Sequence, residues 1–183
     1  MKEKLKQMII SNIMEWDAKD IYAASLFVYD LNDNPCRPTV TLGYNTESQV
    51  AAETPNAWDE NEARWNYAFW IQNSFFCFGE GETEKDIICW LNEHQLPNYA
   101  DEDDAWDDDL TYEKTEIVTK IFVEELICIV KEIHQTGLLT KKFGKEIPIL
   151  IHELEYYDEI AEQNIAANGT DGLLDFIKFC KGE

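Results

Sequence analysis

Apolar positions recur at helical spacing at the N-terminus, where Leu5, Met8, Ile9, Ile13 and Trp16 share one side of a helix and Lys4, Lys6, Gln7 and Glu15 remain for solvent. This pattern predicts an amphipathic packing helix. Ile21 to Asp30 is rich in Tyr, Phe, Val and Ile, and is broken by Asn32-Asp33-Asn34-Pro35 before β character resumes at Thr39-Val40-Thr41-Leu42-Gly43-Tyr44. A β-hairpin with a long loop follows.

Large apolar residues at 65, 67, 69 and 71 alternate through Arg64-Trp65-Asn66-Tyr67-Ala68-Phe69-Trp70-Ile71-Gln72, which predicts a third strand. A helix stays open there, because Trp65, Ala68, Phe69 and Gln72 also share a face. Thr83 and Asp86 have the spacing of a capping box before Ile87, Ile88, Trp90 and Leu91, with Pro97 as the stop of a short helix. Val118, Ile121, Phe122, Leu126, Ile129 and Ile133 then mark a central buried helix that Gly137 ends. Residues 147–151 read as a strand in which Pro148 argues for an edge or a strand start. Helical character follows from Glu153, and a last apolar helix runs through Leu173, Leu174, Phe176, Ile177 and Phe179. Early strands, mostly late helices and no βαβ alternation predict an α+β fold, with a mainly antiparallel sheet of about four strands packed against several helices.

Composition narrows the function. With 183 residues, 45% of them hydrophobic, the chain can fill a core as one domain over residues 1–183. Its 37 acidic residues against 15 basic ones give a net charge of -22. That field repels nucleic-acid phosphates and anionic lipid, and it steers a basic protein towards the surface. A solubilising role alone is the plainer reading of the same acidity. The N-terminus mixes charge with apolar residues, and the apolar stretch Ile21 to Tyr29 is too short to span a bilayer, so a soluble cytoplasmic protein is expected. Cys36, Cys77, Cys89, Cys128 and Cys180 are scattered and odd in number, which suits buried free thiols better than disulfides. Asn168-Gly169-Thr170 is read as a turn. Without a sustained heptad pattern, a monomer is the default.

Known chemical signatures are missing. His152-Glu153 invites comparison with a zinc-protease HExxH motif, but Tyr156 stands where the second histidine is needed. Calcium-loop readings starting at Asp30 and Asp101 fail at the sixth and twelfth positions, which hold Pro35 and Thr41 in one and Trp106 and Tyr112 in the other. Gly79-Glu80-Gly81 lacks the lysine of a phosphate loop, and no Gly-x-Ser-x-Gly elbow occurs. His134, near a helix end, suits the helix dipole. No cofactor, no metal and no catalytic residue is therefore expected. Carboxylate pairs have no diagnostic value among 37 acids, although Glu153, Glu155, Asp158 and Glu159 around Tyr156-Tyr157 are positioned to line a cleft.

Ile21-Tyr22-Ala23-Ala24-Ser25-Leu26, Thr41-Leu42-Gly43-Tyr44-Asn45-Thr46, Arg64-Trp65-Asn66-Tyr67 and Leu154-Glu155-Tyr156-Tyr157 together resemble a family of uncharacterised acidic bacterial domains. The resemblance runs through most of the chain and rests on strand residues and aromatics. Members are associated with polymorphic-toxin systems, where such proteins act as immunity partners. The resemblance implies a binder that neutralises a cognate protein toxin, and it transfers no catalytic residue.

The leading expectation is thus an immunity-type protein that binds a basic toxin, such as a nuclease, with carboxylates in place of phosphates. Its candidate contact surface is Asp101, Glu102, Asp103, Asp104, Trp106, Asp107, Asp108 and Asp109. This run holds seven carboxylates in nine residues and cannot enter a core. Its charges would guide encounter and Trp106 would anchor it. Two alternatives remain: a small hydrolase with a carboxylate pair in a cleft near Trp65 and Trp70, and a regulatory scaffold. As a plain packing reading, Trp65 and Trp70 belong to the core.

Overall fold

The computed structural model describes residues 1–100 and 109–182, with the backbone alone given for 109–113. In chain order its elements are α1 (Lys2–Glu15), β1 (Ile21–Asp30), β2 (Pro38–Thr46), α2 (Glu47–Glu53), α3 (Glu60–Trp65), β3 (Phe76–Phe78), α4 (Glu84–Glu93), α5 (Asp109–Gln135), α6 (Leu138–Phe143), β4 (Ile149–His152), α7 (Asp158–Asn168) and α8 (Leu174–Lys181). The fold is α+β. Its sheet has the order β3-β2-β1-β4, antiparallel except for the β1–β4 pair, which is parallel.

Alternation along β1 divides the core between the two faces of the sheet. Ala24, Leu26 and Val28 join Val40, Leu42 and Phe78 against α1, α4 and α5, where Leu5, Ile9, Ile13, Ile87, Trp90, Val118, Phe122 and Leu126 are buried. On the opposite face, Tyr22, Ala23 and Leu150 pack with Val50, Ala63, Trp65, Trp70, Ile160 and Phe176 from the segments around α2, α3, α7 and α8. Each fully buried Leu, Ile or Phe contributes about 1.5–3 kcal/mol. The ion pairs that tie α1 to its neighbours, Lys2 and Lys6 to Glu132 at 3.0 and 2.7 Å and Lys4 to Asp86 at 2.6 Å, lie at the surface, where solvent screens them. Packing holds α1, and the pairs set its register.

The expected third strand over Arg64 to Gln72 is not formed. Asp59 caps a helix instead, its Oδ1 accepting from the Glu62 N–H at 2.8 Å, and that helix ends at Trp65. Asn66 then starts a 3-10 turn at Tyr67–Phe69 by accepting from the Ala68 N–H. Trp65 and Trp70 are buried by these two turns, Trp70 Nε1 reaching back to the Arg64 carbonyl at 2.8 Å, whereas Tyr67 and Phe69 are only partly buried. The strand beside β2 is β3, whose residues Phe76, Cys77 and Phe78 pair with Leu42, Thr41 and Val40. Nor does the capping box at Thr83 form, because Thr83 Oγ1 accepts from the Gly79 N–H and donates to the Glu80 carbonyl. Residues after Glu153 become helical only from Asp158.

Pro148 does precede an edge strand, and its carbonyl accepts from the Ala24 N–H at 2.9 Å. The outer edge of β4 is covered by side chains. Asn164 of α7 accepts from the Ile151 N–H at 2.9 Å and donates to the Ile151 carbonyl at 2.7 Å; one turn on, Asn168 grips Ile149 the same way at 2.8 and 3.1 Å. Two amides at i and i+4 thus stand in for a fifth strand and block edge-to-edge pairing. Asn73 repeats the device on β2, accepting from the Tyr44 N–H and donating to the Tyr44 carbonyl at 2.9 and 3.2 Å. Gly43 makes room for it, since a Cβ there would meet Asn73 Oδ1 at 2.6 Å and the Asn73 carbonyl oxygen at 2.7 Å.

All five cysteines are free; Cys36 and Cys180 are buried, whereas Cys89 and Cys128 are exposed, so the expected burial holds for some of them only. Gly169 ends α7 with a φ of 78°, in keeping with the expected turn. Among the described residues no helix is long and apolar enough to cross a membrane.

Candidate functional site

The acidic run chosen from the sequence falls almost entirely beyond what the structure describes. Asp101, Glu102, Asp103, Asp104, Trp106, Asp107 and Asp108 lie outside the described residues, and Asp109 opens α5 with its backbone alone described. The chain leading into the run is tied to the β1–β2 loop: Asn98 Oδ1 accepts from Arg37 Nη1 at 2.9 Å, and the Tyr99 carbonyl accepts from Asn34 Nδ2 at 3.1 Å. A shallow depression lined by Gln95, Leu96, Pro97, Lys114 and Ile117 lies nearby along the chain.

A second acidic segment carrying a tryptophan is fully described, and the sequence reading passed over it. Residues 54–59 join α2 to α3 and display Trp58, whose side chain is 93% exposed, whereas Trp16, Trp65, Trp70 and Trp90 are at 5% or below. The connection is built from reciprocal hydrogen bonds. Thr54 Oγ1 donates to the Val50 carbonyl at 2.7 Å, Asn56 Nδ2 donates to Glu53 Oε2 at 2.9 Å, and the Trp58 N–H donates to Glu62 Oε2 at 2.6 Å. With Asp59 capping the Glu62 N–H, this is a capping box displaced by one residue, and it fixes the backbone on which the indole stands.

The charge along this stretch of sequence is mostly acidic, although Lys145, between α6 and β4, also acts on Glu47. Glu47, Glu53, Asp59, Glu60 and Glu62 flank the loop, and the one basic residue between positions 47 and 64 is Arg64. Arg64 is engaged by Glu47 through two bonds of 3.0 and 2.7 Å and by Glu60 at 3.4 Å. The guanidinium holds the Glu47 carboxyl below the usual range, against the upward push of burial. The signal in the sequence was Ala57-Trp58-Asp59-Glu60, the same acid-and-tryptophan chemistry that drew attention to Trp106.

The third cluster is buried. His152 ends β4 with no exposure, and its Nε2 lies 2.7 Å from the hydroxyl of Ser25 on β1, itself 1% exposed. Its Nδ1 lies 2.9 Å from the Glu153 carbonyl and therefore donates, leaving Nε2 to accept from Ser25. Rings of Phe27, Tyr67, Trp70 and Tyr156 surround it. Burial lowers the His152 pKa to about 4. Ser25 and His152 have the spacing of a nucleophile and its base, yet neither reaches solvent, so the pair is a satisfied polar contact within the core.

Carboxylates at the rim of this cluster also titrate unusually. Asp30, at the end of β1, is pushed up to about 6 by burial, which outweighs the hydrogen bond from Thr119 Oγ1 at 3.2 Å; repulsion from Glu153 and Asp33 adds to the rise. Burial likewise raises Glu153. Of the acids proposed to line a cleft, Glu153 is half-buried, whereas Glu155, Asp158 and Glu159 are exposed. Trp65 and Trp70 are core residues, in contact with Tyr22 and, for Trp65, with Phe176. His134 sits at the end of α5 between Glu146 and Asn168, 2.9 Å from each. Among the described residues no group of three or more His, Cys, Asp or Glu side chains is arranged to hold a metal ion. No protein-family model, no curated protein and no solved structure matches this chain, so its function is argued from its own residues.

Proposed function

We propose that the protein is an immunity-type binder, acting in the cytoplasm as a monomer, that neutralises a basic protein toxin such as a nuclease by direct contact. The observation that carries this reading is the acidic surface between positions 47 and 64, where five carboxylates flank a rigid loop and the lone arginine is already engaged by two of them. Such a surface attracts a cationic partner and speeds its encounter. The run from Asp101 to Asp109 extends the same chemistry along the chain. The resemblance to immunity-associated domains points the same way. The test is neutralisation: a basic protein retained by immobilised protein is purified and its own activity assayed against added binder. Activity should vanish near one equivalent. Full activity at a large excess of binder would exclude neutralisation.

A second reading has one specific observation behind it. Asp30, at the end of β1, and Glu153, the residue after β4, both have raised pKa values, and a carboxyl held protonated is one of the two roles that a carboxylate-pair hydrolase needs. A hydrolytic activity abolished by Asp30→Asn would favour it over the binder.

A further inference from the structure

Four of the five tryptophans with described side chains are buried, and the one that is not stands at 93% exposure on an ordered loop. An indole left in water forfeits the burial that its four counterparts obtain, and folding gains little from it. We propose that Trp58 is the anchor of a docking surface for an arginine-bearing face of a basic protein. This rests on the binding reading above and names the contact and the partner chemistry.

Three observations support the arginine assignment. First, the loop is fixed before any partner arrives: the Trp58 and Glu62 backbone N–H groups are held by Glu62 and Asp59, and Asn56 by Glu53. Binding then orders little more than the indole itself, so less of the contact energy is lost to entropy. Second, Asp59 and Glu60 follow the indole directly in sequence and are exposed, so the surface next to it carries negative charge that complements a cation. A guanidinium is suited to this combination because it stacks flat on an indole while its N–H groups reach carboxylates in the same plane. Third, the fold already contains the pattern: Arg64 lies 4.9 Å from the ring centre of Tyr22 while bound in bidentate fashion by Glu47. An arginine from a partner would repeat that arrangement at Trp58, outside the core.

The experiment follows the indole N–H resonances of labelled protein during titration with octa-arginine, octa-lysine and octa-glutamate, the Trp58 signal being assigned by its loss in Trp58→Phe. The basic protein recovered in the neutralisation test is then titrated against wild type, Trp58→Phe and Trp58→Ala. Octa-arginine should move the Trp58 signal ahead of the others and octa-glutamate should leave it in place. Trp58→Ala should weaken the basic protein by at least about 10-fold, with Trp58→Phe intermediate and the fold unchanged by circular dichroism. Octa-arginine that binds without moving Trp58, together with equal affinity of Trp58→Ala, would overturn the anchor while leaving the binding reading intact. Octa-lysine equal to octa-arginine at Trp58 would overturn the arginine assignment. Failure of octa-arginine to bind at all at low salt would remove both.

Discussion

His152, which is buried, and Asp30, which is half-buried, are titrating groups whose protonation works against each other, and their opposition is measurable. The His152 pKa falls from an ordinary 6.5 to about 4 on folding, so between those values the unfolded chain takes up a proton that the folded chain refuses. Stability from this residue is intact above pH 6.5 and is lost as pH falls towards 4. Asp30 rises from 3.8 to about 6, so its contribution is fully present below pH 3.8 and is lost as pH climbs through 6. By proton linkage, moving from pH 7.5 to pH 5.0 costs about 2 kcal/mol at His152 and returns about 1 kcal/mol at Asp30, so the two largely offset each other in wild type.

Single substitutions separate the two. Asp30→Asn keeps an Oδ1 acceptor for Thr119 and removes the compensating group, so this variant should lose about 2 kcal/mol over the interval. His152→Gln keeps an acceptor for Ser25 and should instead gain about 1 kcal/mol over the same interval, from a lower starting stability. Urea unfolding followed by tryptophan fluorescence at the two pH values reads these slopes; titrations of groups remote from both residues cancel in the differences, and relief of the Asp30–Glu153 repulsion acts in the same direction as the loss at Asp30→Asn. Asp30→Asn and wild type with parallel pH dependence would refute the burial argument at Asp30. His152→Gln falling in step with wild type would refute it at His152.

Two further outcomes test the fold. Asn164→Ala should destabilise by about 1–3 kcal/mol, because the Ile151 N–H loses its acceptor while the Ile151 carbonyl keeps Gln163 Nε2 at 2.8 Å, and hydrogen exchange at the Ile151 N–H should accelerate while that of α1 changes little. Gly43→Ala should cost about 1–3 kcal/mol by overpacking, measured in urea, and adding Asn73→Ala should not restore it, because the Asn73 carbonyl oxygen would stand 2.7 Å from the new Cβ.

Period-based reading recovered the elements whose apolar residues face a large surface: α1 through Leu5, Ile9 and Ile13, the β1–β2 hairpin, and α5 with its αL stop at Gly137. It failed where side-chain polar groups decide the backbone. Asn66 ends one helical turn and starts the next, and nothing in the alternation of Trp65, Tyr67, Phe69 and Ile71 reveals that its carbonyl oxygen will take the Ala68 N–H. Asn73, Asn164 and Asn168 were equally silent, since an amide on a helix or in a loop looks like solvent-facing polarity until the strand it grips is known. The parallel pairing of β4 with β1 was hidden for a related reason: the four residues 149–152 are buried on both sides, which gives a continuous apolar run without a direction. At the candidate site, density of charge drew the eye to 101–109. Trp58 differs in sequence from the buried Trp65 and Trp70 by the acids that follow it, but its exposure depends on the turn held by Glu62 and Asp59, which no period in the sequence reveals.

Binding of a basic protein by the acidic surface is read out by the affinity of that complex against salt. Titration of the purified partner between about 50 and 200 mM salt should show a one-to-one complex that weakens steadily as exposed charges are screened. Neutralising Asp59 and Glu60 as amides should flatten the slope. An affinity indifferent to both salt and these substitutions would contradict the electrostatic basis of the proposed function.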